Sequence, residues 1–156
     1  MPVRVTAKVD YAVRAAVELA RVGASSSAPA KGDRVAEEQA IPLKYLENIL
    51  GSLRRAGIVA SQRGAEGGYW LARPPAEITV ADIIRAVEGP LADVRGERPE
   101  RVEYPPATAV LQPMWIAVRA NLRDVLDAVT VADLEAGALP PHVQALADRP
   151  DAWDPR

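Results

Sequence analysis

Apolar residues recur at three- and four-residue steps between positions 43 and 53, where Leu43, Leu46, Leu50 and Leu53 share one helical face. The opposite face is polar and carries Lys44, Glu47, Asn48, Arg54 and Arg55. Pro42 suits a first turn, because the N–H it lacks would have no partner there. Gly57 can take the left-handed conformation that closes a helix. The spacing predicts a helix over 43–56. Upstream, 33–40 reads as a short helix with Val35 and Ala36 as its apolar residues, and the tight join at 40–42 makes the pair a helix-turn-helix. Downstream, 58–62 reads as a strand, 63–68 as a glycine-rich turn and 69–72 as a return strand. A hairpin directly after the second helix is the order of a winged helix-turn-helix. Its polar helix face would lie in a DNA major groove and its hairpin tip would reach the backbone or minor groove.

The remaining elements follow from the same periodicities. Residues 6–22 predict a first helix, with Thr6 as N-cap and Val9, Ala12, Ala15, Ala16, Leu19 and Ala20 inward. Residues 23–29 are a loop. Thr79 and Asp82 form a capping-box pair opening a helix to about Val87, which Gly89-Pro90 ends. The stretch 90–107 mixes prolines with alternating charges and reads as an irregular loop. A long helix follows over about 108–129, with Pro113 implying a start a few residues later. Its Leu111, Trp115, Val118, Leu122, Val125 and Val129 form a heptad-like seam, widened by Met114 and Leu126. A seam this wide points to pairing with a second copy; packing on the chain's own first domain is the alternative. Thr130-Val-Ala-Asp133 repeats the tetrapeptide at 79 and starts a short helix ending at Gly137. The tail beyond Pro140-Pro141 reads as a surface arm or disordered, with Trp153 as a docking anchor. The expected fold class is therefore mostly α with a small β-hairpin wing (α+β): a winged helix-turn-helix domain over 1–89, an irregular loop over 90–107, a dimerisation helix and short following helix over 108–137, and a tail over 138–156.

Charge adds to this picture through its distribution. The chain's formal net charge is only -2. Residues 1–73 nevertheless hold eleven Lys/Arg against seven Asp/Glu, and residues 74–156 hold eight against fourteen. A basic front and an acidic back suit a DNA-binding module joined to a part that faces away from DNA. No apolar run is long enough for a membrane span and no signal-peptide pattern is present, so a cytoplasmic chain with no membrane partner is expected. The sequence contains no cysteine and one histidine, His142, which excludes disulfides and thiolate metal sites. No nucleophile–base or paired-carboxylate pattern suggests an enzyme, and no cofactor or metal ligand set is expected.

Several motifs, taken in order, carry a resemblance. These are Tyr11-Ala12-Val13, the helix with Tyr45-Leu46-Glu47, the junction Leu53-Arg54-Arg55-Ala56-Gly57-Ile58-Val59, the hairpin Arg63-Gly64-Ala65-Glu66-Gly67-Gly68-Tyr69-Trp70-Leu71, and Ile78-Thr79-Val80. Over roughly 3–137 the chain resembles the Rrf2 family of winged-helix transcription regulators. The resemblance implies homodimers that bind palindromic double-stranded DNA at promoters, usually as repressors. Many members hold an iron–sulfur cluster on three cysteines between the fourth and the long helix. Here that stretch is the 90–107 loop without cysteine or histidine, so the chain is similar to the cluster-free branch, which answers to an unidentified small-molecule or protein effector.

The resemblance places base reading at Lys44, Tyr45, Glu47 and Asn48. Lys44 suits guanine O6/N7, Asn48 adenine N6/N7 and Glu47 cytosine N4, while Tyr45 packs its ring and offers its hydroxyl to phosphate. For Glu47, a surface pair with Lys44 or Arg54 is the alternative. Arg63 suits a narrow A·T minor groove, Arg54 and Arg55 suit phosphate, and Lys8 with Arg4 and Arg14 can sit against phosphate at the first helix, a solvated surface being the alternative for all five. Gly64, Gly67 and Gly68 are backbone devices that permit positive φ and close approach. Trp115, Met114 and the loop would line an effector pocket, with core packing the alternative for Trp115. The rival function is a winged-helix protein-interaction module without specific DNA binding.

Overall fold

The computed structural model describes residues 4–156. Its helices are α1 (Ala7–Arg21), α2 (Gly32–Gln39), α3 (Leu43–Arg55), α4 (Val80–Val87), α5 (Leu111–Leu126), α6 (Val131–Ala136) and α7 (Pro141–Ala147). One antiparallel hairpin, β1 (Val59–Gln62) and β2 (Gly68–Leu71), follows α3 with Val59 opposite Leu71 and Gln62 opposite Gly68. The chain is mostly helical with a small two-stranded wing and a long helix, as the hydrophobic periods predict.

The core is aliphatic. Ala12, Ala15 and Ala16 on α1 are fully buried, and such small side chains let neighbouring helices approach closely. Leu46, Ile49, Leu50 and Leu53 of α3 pack into the same cluster as Leu19, Ile58, Ile78 and Ile83. Leu43, expected on this apolar face, is 42% exposed, and Ile49 is buried in the cluster. The reason is positional: residues 42–45 are exposed throughout, so the first turn of α3 projects beyond the core. Thr6 caps α1 by accepting from the Val9 N–H, as expected.

The two Thr-Val-Ala-Asp segments each form a full capping box, Thr79 with Asp82 and Thr130 with Asp133. They also pair with each other. Thr79 bridges Thr130 antiparallel, Val80 N–H donates to the Val129 carbonyl at 2.9 Å, and Val131 N–H donates to the Ile78 carbonyl at 2.9 Å. This stitch returns the chain to the first domain, so α6 packs on α1 and Val131 enters the core. Gly137 closes α6 in the left-handed conformation.

Two stretches differ from expectation. The 90–107 loop contains single 3-10 turns at Pro99–Arg101 and Pro106–Thr108, with Pro99 and Val102 buried. The Gln112 side-chain amide of α5 donates to the Pro99 and Val102 carbonyls at 3.2 and 3.0 Å, which pins the loop to the long helix. The tail, read as an arm, instead carries α7, because Pro141 occupies the first helical position where proline is tolerated and Val143 is buried.

Candidate nucleic-acid interface

The turn between α2 and α3 sets how α3 is presented. Ala40 takes a left-handed conformation (φ 52°), and the Ile41 N–H donates back to the Ala36 carbonyl at 2.9 Å. Pro42 stands at the N-cap of α3, one residue before the first turn, and has no side-chain group to offer, so the first amides of the helix have no capping side chain. A helix start of this kind is a ready partner for an anion. Lys44, Tyr45, Glu47 and Asn48 are all exposed here. Glu47 forms no ion pair with Lys44 or Arg54 among the described residues, so its surface-pair alternative is not realised.

Tyr45 is oriented from α1. Its ring meets Tyr11 edge-on, with centroids 5.6 Å apart and planes at 83°. The Arg14 guanidinium lies over Tyr11 at 5.3 Å from the ring centroid. Arg14 also donates to Asp10 at 3.1 Å and to the Gln39 backbone carbonyl, so one side chain ties α1 to the end of α2. Below it, the buried Glu18 carboxylate accepts from Arg21 at 2.8 and 2.7 Å and from Gln39 at 3.1 Å. The Arg21 hydrogen bonds hold this carboxyl below its ordinary range against the opposing effect of burial. The sequence offers Tyr11 only in a motif and Arg14 only as a phosphate contact, whereas Asp10 and Gln39 engage Arg14 within the chain; the Tyr11, Arg14 and Tyr45 positions carry the clue only once α1 and α3 are known to cross.

The wing is anchored on both sides. Ala30 and Tyr69 exchange backbone hydrogen bonds at 2.9 and 2.8 Å, which adds a bridge from the α1–α2 loop to β2. Lys31, also unremarked in the sequence, donates from its ammonium to the Ala65 carbonyl in the wing turn. Arg54 of α3 donates to the Ser61 hydroxyl of β1 at 3.2 Å, and Arg55 to Ser52 at 3.1 Å. Tyr69 and Leu71 face the core, and Trp70 alternates away from them.

The three wing glycines have separate roles. Gly64 sits at φ 99°, in open space. A Cβ at Gly67 would overlap the Gln62 carbonyl oxygen, and one at Gly68 the Ala30 carbonyl oxygen. The close approach at Gly67 and Gly68 is therefore to the protein's own backbone. Arg63 is exposed at the wing start and Lys8 is half-buried on the first turn of α1. Among the described residues, Lys8, Lys31, Lys44, Arg54, Arg55 and Arg63 make no ion pair with a carboxylate, whereas Arg14, Arg21, Arg34 and Arg73 do. Those six cations thus leave their charge available to an outside anion.

On α5, not one residue is buried, although the helix is rich in large apolar side chains. Trp115 and Val118 are each 37% exposed, Met114 is exposed, and Leu111, Leu122 and Val125 are half-buried. Val129 is a correction. It lies past the end of α5, is buried within the chain, and its carbonyl accepts from Val80, so it serves the protomer's own fold. Trp115 is not a core residue, and the small cavity near the start of α5 is lined by Val102, Tyr104 and Gln112 without Trp115 or Met114.

The family model for Rrf2, described as an iron-dependent transcriptional regulator, matches residues 5–137. The chain belongs to the Rrf2 family. It is similar to Rv1287 of Mycobacterium tuberculosis at 48% identity over 93% of this chain and 89% of that protein. The solved structure of CymR, the global cysteine regulator of Bacillus subtilis, superposes with a TM-score of 0.71 at 31% identity, covering 88% of this chain and 99% of that one. The structure of T. potens IscR gives a TM-score of 0.66 at 33% identity, covering 90% and 96%. As an Rrf2 protein the chain is a DNA-binding transcriptional regulator without cysteines. The iron in the family description finds no thiolate here. The single histidine, His142, sits on α7 with its ring Nε2 2.9 Å from the Asp124 carbonyl oxygen. Among the described residues no three His, Cys, Asp or Glu side chains gather as a metal site. A donor set of carboxylates and arginines in 90–107 does not fit an iron–sulfur cluster. No helix among the described residues is long and apolar enough to cross a membrane.

Proposed function

We propose that the protein acts as a homodimer on palindromic promoter DNA, as a repressor, with two copies of α3 reading adjacent major grooves and two wings gripping the flanking minor grooves. The observation that carries this reading is the α3 first turn, which projects beyond the core with Lys44, Tyr45, Glu47 and Asn48 exposed. The cations without a carboxylate partner, Arg54 and Arg55 at the far end of α3, Lys8 on α1, and Lys31 and Arg63 beside the wing, are the phosphate and minor-groove contacts of the proposal. Gly64, at φ 99° between Arg63 and Ala65, lets the wing turn tightly at its tip. The apolar stripe of Leu111, Trp115, Val118, Leu122 and Val125 on an otherwise unburied helix supports pairing through α5.

Selection of bound fragments from a random duplex pool tests this reading. Enrichment of an inverted repeat is expected, with half-sites about one helical turn apart or a multiple of it. Recovery of unrelated sequences at an affinity set only by salt would favour the protein-interaction module instead.

A further inference from the structure

The acidic back of the chain concentrates its positive charge in one place. Of the eight basic residues after position 73, four, Arg85, Arg98, Arg119 and Arg123, line a single groove of about 370 Å³. Arg85 comes from α4, Arg98 from the loop, and Arg119 and Arg123 from successive turns of α5. Glu100 is the one carboxylate in the lining, and the backbone of 89–92 closes the remaining wall with Pro90, Leu91 and Ala92.

Two of these arginines are already held. Arg85 makes a two-pronged contact with Asp127 at 2.9 and 3.1 Å and a longer ion pair with Asp82 at 3.8 Å, and Arg119 donates to Glu100 at 2.6 Å. Arg98 and Arg123 make no ion pair among the described residues. The groove thus has two fixed guanidinium walls and two guanidinium groups with open forks, and it keeps excess positive charge after internal pairing. Planar forks of this kind match carboxylate and phosphate oxygens two at a time. The volume lies near the small end of ligand pockets and suits a small metabolite.

We propose that this groove binds a small dianion, a dicarboxylate or a phosphate monoester, with Arg98 and Arg123 as its principal ligands and the 89–92 wall against its carbon skeleton. Such a guest would join α4, which packs on the reading helix α3, to α5, which packs chiefly on α4 and the 99–101 turn. Occupancy would therefore set the angle between the reading domain and the long helix. The binding claim stands alone; its consequence for DNA rests on the regulator reading above.

Calorimetric titration of the full-length protein with inorganic phosphate and with succinate, at ionic strength held constant with sodium chloride, tests the site. Saturable binding of at least one probe is expected, and which one binds identifies the class. The double variant Arg98→Gln, Arg123→Gln should bind that probe about tenfold or more weakly, while Arg149→Gln, outside the groove, should match the wild type. The bound probe should change operator affinity about fivefold or more in the wild type and leave the double variant unmoved. Saturable binding of neither probe, or equal binding by the double variant, overturns the proposal. So does a double variant that loses operator affinity and salt dependence without any probe, since the arginines would then be contacting DNA. A wild type that binds the probe but no operator counts against the regulator reading and leaves the anion site standing.

Discussion

Replacing Trp115 with alanine gives the sharpest test of pairing through α5. Trp115 keeps 37% of its surface exposed in the single chain, on a helix that buries none of its residues. For a tryptophan of roughly 250 Å² this leaves about 90 Å² to be covered by a second copy. At ~25 cal/mol per Å², that area contributes about 2 kcal/mol, and a twofold axis counts it twice, giving about 4 kcal/mol. The dimer dissociation constant should then rise about a thousandfold. Sedimentation equilibrium across nanomolar to high micromolar protein reads this directly, with circular dichroism and a melting curve confirming that each protomer remains folded. The wild type should be dimeric at micromolar concentration and Trp115→Ala largely monomeric. A folded variant that dimerises as tightly as the wild type would refute the reasoning, and so would a wild type that sediments as a monomer.

Other expectations follow from single contacts. Gly67→Ala places a Cβ against the Gln62 carbonyl group and 2.8 Å from the Arg63 carbonyl carbon, all backbone atoms that cannot swing aside. It should lower stability in urea by about 1–3 kcal/mol, and an unchanged midpoint would contradict the geometry. Thr130→Ala removes one half of a capping box and should cost about 1 kcal/mol, whereas Thr130→Ser should restore most of it. Glu18 has its pKa lowered in the folded chain from an ordinary 4.5, mainly by Arg21. Its contribution is therefore complete above that ordinary value and is lost as pH falls through the lower folded value. Glu18→Gln should flatten the acid limb of the stability profile in this window; an unaltered slope would remove Glu18 as its source.

Local signals made much of the fold legible. The leucine spacing in α3, the Thr–Asp capping pairs and the wing glycines each declare themselves within a few residues, because their physics is local. What stayed hidden depends on partners far apart in sequence. The pairing of Thr79 with Thr130 needs two capping boxes to meet across 51 positions. The Tyr11–Tyr45 contact and the four-arginine groove likewise appear only when helices cross. Val129 misled because a heptad step continues past the last turn of α5, and burial there is decided by the return to α4. Leu43 misled in the opposite direction, since a periodic position in a projecting first turn has no core to enter. For α7, the proline pair looked like an end when Pro141 was a beginning.

Base preference measured for Lys44→Ala addresses the central claim that the exposed start of α3 reads sequence. Affinities for a selected operator and for its single-base variants, taken at one salt concentration, would be compared between wild type and mutant. The expected result is a loss of about 1–3 kcal/mol of discrimination at one position in each half-site, with the other positions unchanged. A Lys44→Ala protein that keeps both the wild-type affinity and the wild-type ranking of every variant would contradict the account.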